Sequence, residues 1–212
     1  KNLTIANAKE FGDEARVGVA GWGDAAVIVP WTMYQVTGNK KILEEQYDTM
    51  ARWCSYVVTT AATRRGDPSL PNEVDKHLWN TGFHFGEWLI PSEDPNMSHR
   101  EACEGSSYYT APIFGYISLS TMADAADVLH RPEADGYRAT AEKMKWAIQQ
   151  ALVRNGKLTS DHMGAYVLMI AFELVPEDCK ESFANTLIEM LEKNGGRLDT
   201  GFLATPYLLD AF

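Results

Sequence analysis

Two short stretches set an acid beside a tryptophan inside a glycine frame. Gly21-Trp22-Gly23-Asp24 places a carboxylate two residues from an indole, and Gly82-Phe83-His84-Phe85-Gly86-Glu87-Trp88-Leu89 puts Glu87 directly before Trp88. Such pairs suit neutral polyols, because a ring covers an apolar C–H face while a carboxylate accepts hydroxyl hydrogens. Trp22 and Trp88 are therefore candidate sugar platforms, with Asp24 and Glu87 as hydroxyl partners and His84 beside them. Each has a plainer reading. Asp24 stands where it could cap a helix, Trp88 could be a core ring beside a solvated Glu87, and His84 reads more readily as a packing residue than as a catalyst. If the chain cleaves glycosides by itself, Asp24 and Glu87 are the acid and base, and their separation should fit one of the two glycosidase geometries.

Other chemistry finds little support. There is no GxSxG, HExxH or EF-hand loop, and the histidines lack ligand spacing, so no metal and no cofactor is expected. The glycines of Asn194-Gly195-Gly196 follow no strand pattern, which argues against a phosphate cradle. Ser160-Asp161-His162 reads as a helix start. Cys54, Cys103 and Cys179 are far apart and form no CxxC pair, so buried free thiols are expected. A net charge of -10 repels phosphate, which argues against nucleic acid or an anionic membrane surface as partner. No apolar run reaches the roughly 18 residues that span a bilayer, and no signal peptide is visible. The compartment, bacterial periplasm or cytoplasm, is left open.

The elements that must position these residues are mostly helical. An apolar fraction of 45% is sufficient for a core. Asp24 opens a first helix that runs to Gly38 with Pro30 inside it, where a kink or late start is expected. Asn39 caps a second, long helix striped by Ile42, Leu43, Tyr47, Met50, Trp53, Tyr56 and Val57. Residues 64–109 carry four prolines and several glycines and read as a long, packed, ligand-facing loop. Helical spacing returns at 110–130, 133–154, 161–175 and 177–194, with turns at Pro132, Asn155-Gly156 and Pro176. A last helix starts at Thr205-Pro206. Short turns between helices predict antiparallel hairpins.

Three blocks, residues 21–57, the FHFGEWL segment at 83–89 and NGGRLDTGFLATPYLLDAF at 194–212, together resemble the family 78 glycoside hydrolases, the α-L-rhamnosidases, and stand in that family's order. The resemblance implies an all-α fold in which antiparallel helical hairpins form part of an (α/α)6 barrel, with residues 1–212 a piece of one catalytic domain truncated at both ends. It also implies an inverting mechanism on terminal α-L-rhamnosides of glycosides or polysaccharides. In the family the acid lies in an Asp-Cys-Pro-x-Arg-Asp-Glu type motif before the first block, and the base in a Trp-Glu-Arg type motif after the last. Neither is present, so no catalytic residue is expected within the chain. By analogy Trp22 and Trp88 are pocket walls and Asp24 and Glu87 hydroxyl partners, although the family more often has aspartate where Glu87 stands. Two alternatives remain at this stage: another helical-barrel glycosidase using Asp24 and Glu87, or a non-enzymatic helical carbohydrate-binding module. A partial barrel should also self-associate through apolar helix faces that its absent hairpins would cover.

Overall fold

The computed structural model describes residues 18–64 and 66–212. The expected domain start at residue 1 lies outside the described residues. Helices α1 (Ala25–Thr37) and α2 (Lys40–Thr63) form a hairpin closed by two residues. Gly38 takes the left-handed conformation (φ 68°) and donates its N–H to Tyr34 O, while Asn39 caps α2 by accepting from Lys41 N. Pro30 is buried inside an unbroken α1. The buried stripe of α2 is Leu43, Tyr47, Met50, Cys54, Val57 and Ala61, alternating steps of four and three. Trp53 and Tyr56, expected on that stripe, flank it instead and stack on each other at 5.5 Å.

A short helix α3 (Asn72–Asp75) interrupts the long loop, which ends earlier than expected. Helix α4 runs from His99 to Val128, so residues 99–109 belong to a helix rather than to the loop. Ser98 and Glu101 form a reciprocal capping box that fixes this start, and Pro112 sits inside the helix. Every residue from Tyr109 to Leu119 is buried, which makes α4 the enclosed helix of the fold. It packs against α1, α2 and α5 (Ala134–Leu152), and α5 returns along it as the second hairpin.

After α5 comes a small antiparallel hairpin that the sequence reading took for a bare turn. Strands β1 (Val153–Arg154) and β2 (Lys157–Leu158) pair across Asn155-Gly156. Both turn residues have positive φ, 50° and 76°, the geometry Asn-Gly supplies at a tight hairpin. Helix α6 (Met163–Ala171), a 3₁₀ turn (Glu177–Cys179) and helix α7 (Lys180–Lys193) form a third hairpin. Neither Ser160 nor Asp161 caps α6 through its side chain; His162 is its N-cap residue, and Ser160 Oγ accepts from His162 N. The chain closes with a 3₁₀ turn (Thr205–Tyr207) and α8 (Leu208–Ala211), which returns to α6. Cys54, Cys103 and Cys179 are buried free thiols. Among the described residues no helix is long and apolar enough to cross a membrane.

Candidate functional site

The Gly21–Asp24 turn, the 83–89 segment and the 201–204 loop converge. The Trp22 ring lies 4.5 Å from Phe85, 5.1 Å from Phe202 and 6.5 Å from Trp88, measured between centroids. Phe85 stacks on Trp88 at 5.9 Å with only 12° between the planes. Trp22 and Trp88 are partly exposed, Phe202 is exposed and Phe85 is fully buried. The two tryptophans singled out in the sequence therefore share one surface. Phe202 joins them from a block far along the chain.

Asp24, Glu87 and His84 stand behind these rings, not beside them. Asp24 has no exposed surface, and its oxygens accept from Gly21 N (2.7 Å), Trp53 Nε1 (2.8 Å) and Ser118 Oγ (2.5 Å). It does not cap α1 through its side chain. The carboxylate folds back onto its own turn and ties it to α2 and α4. Its position as an open hydroxyl partner is thus corrected: both oxygens are engaged by protein donors. Burial raises its pKa to about 6, against the pull of the Ser118, Trp53 and Gly21 hydrogen bonds.

His84 is 3% exposed. Its Nδ1 accepts from Ala20 N at 3.0 Å, so Nε2 carries the hydrogen and donates to Thr81 O at 3.1 Å. Burial lowers its pKa to about 4, which keeps the ring neutral. The packing role weighed in the sequence is what the geometry displays, for His84 joins the Trp22 turn to the 83–89 segment.

Glu87 is fully buried, unlike a solvated glutamate. Its N–H donates to Ser106 Oγ at 2.7 Å, and Oε1 accepts from Ala204 N at 3.0 Å. Burial lifts its pKa to about 7 despite hydrogen bonds from the Ala204 and Gly201 backbone. Trp53, Ser118, Ser106 and Phe202, which complete this arrangement, carried no local signal in the sequence. The first three stand 29, 94 and 19 residues from the acids they bond, and Phe202 lies in the loop whose Ala204 bonds Glu87 from 117 residues away.

The two raised carboxyls predict a pH dependence. Each holds its proton more tightly folded than unfolded, so the unfolded chain binds fewer protons above pH 4 and stability falls as pH rises toward 6 to 7. The rise of Glu87 from 4.5 to about 7 corresponds to about 3 kcal/mol. Buried neutral His84 works the other way between about pH 4 and 6.5. The urea midpoint should therefore drop between pH 4.5 and 7.5 by less than the two carboxyls alone would give, and Glu87→Gln should flatten that drop. An equal slope in the variant would refute the assignment.

Solved α-L-rhamnosidases share the fold: that of Streptomyces avermitilis, complexed with L-rhamnose, superposes with a TM-score of 0.73 at 28% identity over 92% of this chain and 17% of its own. The Aspergillus terreus enzyme gives 0.74 at 26% identity, covering 91% of this chain and 21% of its own. The fold class is accordingly a set of antiparallel helical hairpins forming part of an (α/α)6 barrel. Residues 9–212 match the bacterial alpha-L-rhamnosidase 6 hairpin glycosidase domain, and the chain belongs to that family. An α-L-rhamnosidase of Formosa agariphila is 30% identical over 89% of this chain, and one of Alteromonas sp. is 30% identical over 90%. The chain spans about a fifth of the length of these relatives, 19% and 20%.

Proposed function

We propose that the chain is an internal part of one catalytic domain of an inverting α-L-rhamnosidase of family 78, and that it contributes one aromatic side of the pocket for a terminal rhamnose. The observation that carries this reading is the convergence of Trp22, Trp88 and Phe202 on one partly exposed surface. Rhamnose is a 6-deoxy sugar, so a methyl group replaces a hydroxymethyl and the molecule offers more apolar surface than a hexose. Ring faces at this spacing suit that surface. Asp24, His84 and Glu87 hold the rings from behind.

The acid and base of an inverting enzyme must face the leaving oxygen and a water from opposite sides of the sugar. Asp24 and Glu87 have no exposed surface, so neither is placed for proton exchange with a substrate. In this reading both groups belong to segments outside the 212 residues. The test pairs two measurements on the chain as it stands. Titration with L-rhamnose should perturb tryptophan fluorescence in a manner lost in Trp22→Ala and Trp88→Ala. An aryl rhamnoside should show no turnover, because removing both proton-transfer groups forfeits on the order of 10⁴- to 10⁸-fold. Robust hydrolysis would overturn the assignment of the acid and base, and a silent titration would overturn the pocket.

A further inference from the structure

We infer that Glu87 is a positioning residue of the sugar pocket: its carboxyl group, docked between the start of α6 and the 201–204 loop, sets where Trp88 and Phe202 stand relative to Trp22. This rests on the aromatic pocket argued above and assigns a role that the hydroxyl-partner reading did not contain.

The geometry joins three segments at one side chain. Gly86 and Leu89 both take positive φ (64°), and between these two bends Trp88 is partly exposed while Glu87 turns inward. There Oε1 takes the Ala204 N–H at 3.0 Å, and the Gly201 backbone bonds the same carboxyl. A main-chain bond runs beside it, from Phe202 N to Trp88 O at 3.0 Å. The residues on either side of Phe202 are thus fastened to Glu87, and Phe202 itself to Trp88. Glu87 N is in turn fixed to α4 through Ser106 Oγ.

Two glycines mark how closely the carboxyl is fitted. A Cβ on Gly201 would stand 2.8 Å from Glu87 Cγ and would overlap Trp88 O. A Cβ on Gly164, in the first turn of α6, would stand 3.1 Å from both Glu87 Cδ and Oε2. Packing alone does not call for a carboxyl here. Its second oxygen is buried without a hydrogen-bond partner, as is the hydroxyl of Tyr109, whose ionisation the Glu87 charge opposes. An orphaned buried oxygen destabilises the core. What the residue supplies is the link between the two aromatic loops.

The test separates positioning from direct sugar contact. The chain is labelled with 5-fluorotryptophan, and the six tryptophan resonances are assigned by single Trp→Phe variants. Without sugar, Glu87→Ala should shift the Trp88 and Trp22 resonances and leave exposed Trp146 in place. Glu87→Gln keeps an acceptor for Ala204 N and should restore them. Should Glu87→Ala fail to fold, Glu87→Asp, one methylene shorter, serves in its place with the same shifts expected. On adding L-rhamnose, the Ala or Asp variant should bind about tenfold more weakly and the Gln variant near the original affinity. An unmoved Trp88 resonance in the sugar-free Ala or Asp variant overturns the proposal. If the original chain shows no response to rhamnose, the pocket reading fails, while the sugar-free spectra still decide what Glu87 positions.

Discussion

Asp24→Ala is expected to destabilise the chain by about 3 kcal/mol or more, making it among the most damaging single truncations of the GWGD turn. Three donors converge on this carboxylate: Gly21 N, Trp53 Nε1 and Ser118 Oγ. Alanine deprives all three of this acceptor at a position that itself has no exposed surface. Trp53 retains a second contact with Ser118 Oγ at 3.2 Å, so the loss stops short of the sum of three deletions. Asp24→Asn should cost less, because one oxygen still accepts from Trp53 and Ser118, while its amide nitrogen meets the Gly21 N–H donor to donor. Urea unfolding followed by circular dichroism checks both variants. A change under 1 kcal/mol in the alanine variant would show that the network is decorative.

Gly23→Ala should destabilise to a similar degree, about 3 kcal/mol, by a different route. A Cβ at that position would stand 2.0 to 2.6 Å from three benzo carbons of Trp53. The indole cannot swing aside without releasing Asp24, stacked Tyr56 and the edge contact with Trp79 at 5.6 Å. Trp53→Phe removes the atoms that collide, so the double variant should be more stable than the sum of the single losses predicts. Strict additivity in that double-mutant cycle, again by urea unfolding, would reject the steric account.

These two cases also indicate what was legible in the sequence. The glycine frame around Trp22 and the Glu87-Trp88 pair drew attention to two rings that one aromatic cluster unites. Hairpin architecture followed from helical spacing and from local signals such as Asn39 and Gly38, which act over a few residues. The roles of the acids did not follow. Whether a carboxylate faces solvent or the core depends on partners such as Ser118, 94 residues from Asp24, and Ala204, 117 from Glu87. No spacing rule reports such pairs.

The start of α4 was a different kind of miss, since its signal was present. Ser98-His99-Arg100-Glu101 is a capping-box sequence. The prolines and glycines of the preceding loop masked this start, and Pro112 sits within the helix. At Asn155-Gly156 the turn chemistry was recognised, but two-residue strands are too short to leave a period-two pattern.

The enclosure of α4 carries a consequence for how this domain can vary. Eleven successive residues, Tyr109–Leu119, face packed neighbours on every side. One inserted or deleted residue would turn everything beyond it by about 100° and shift it about 1.5 Å along the axis, delivering each side chain to a slot shaped for another. Length changes must therefore be absorbed elsewhere, in exposed stretches such as 91–98. Relatives should differ freely there while keeping the count of residues through α4 invariant.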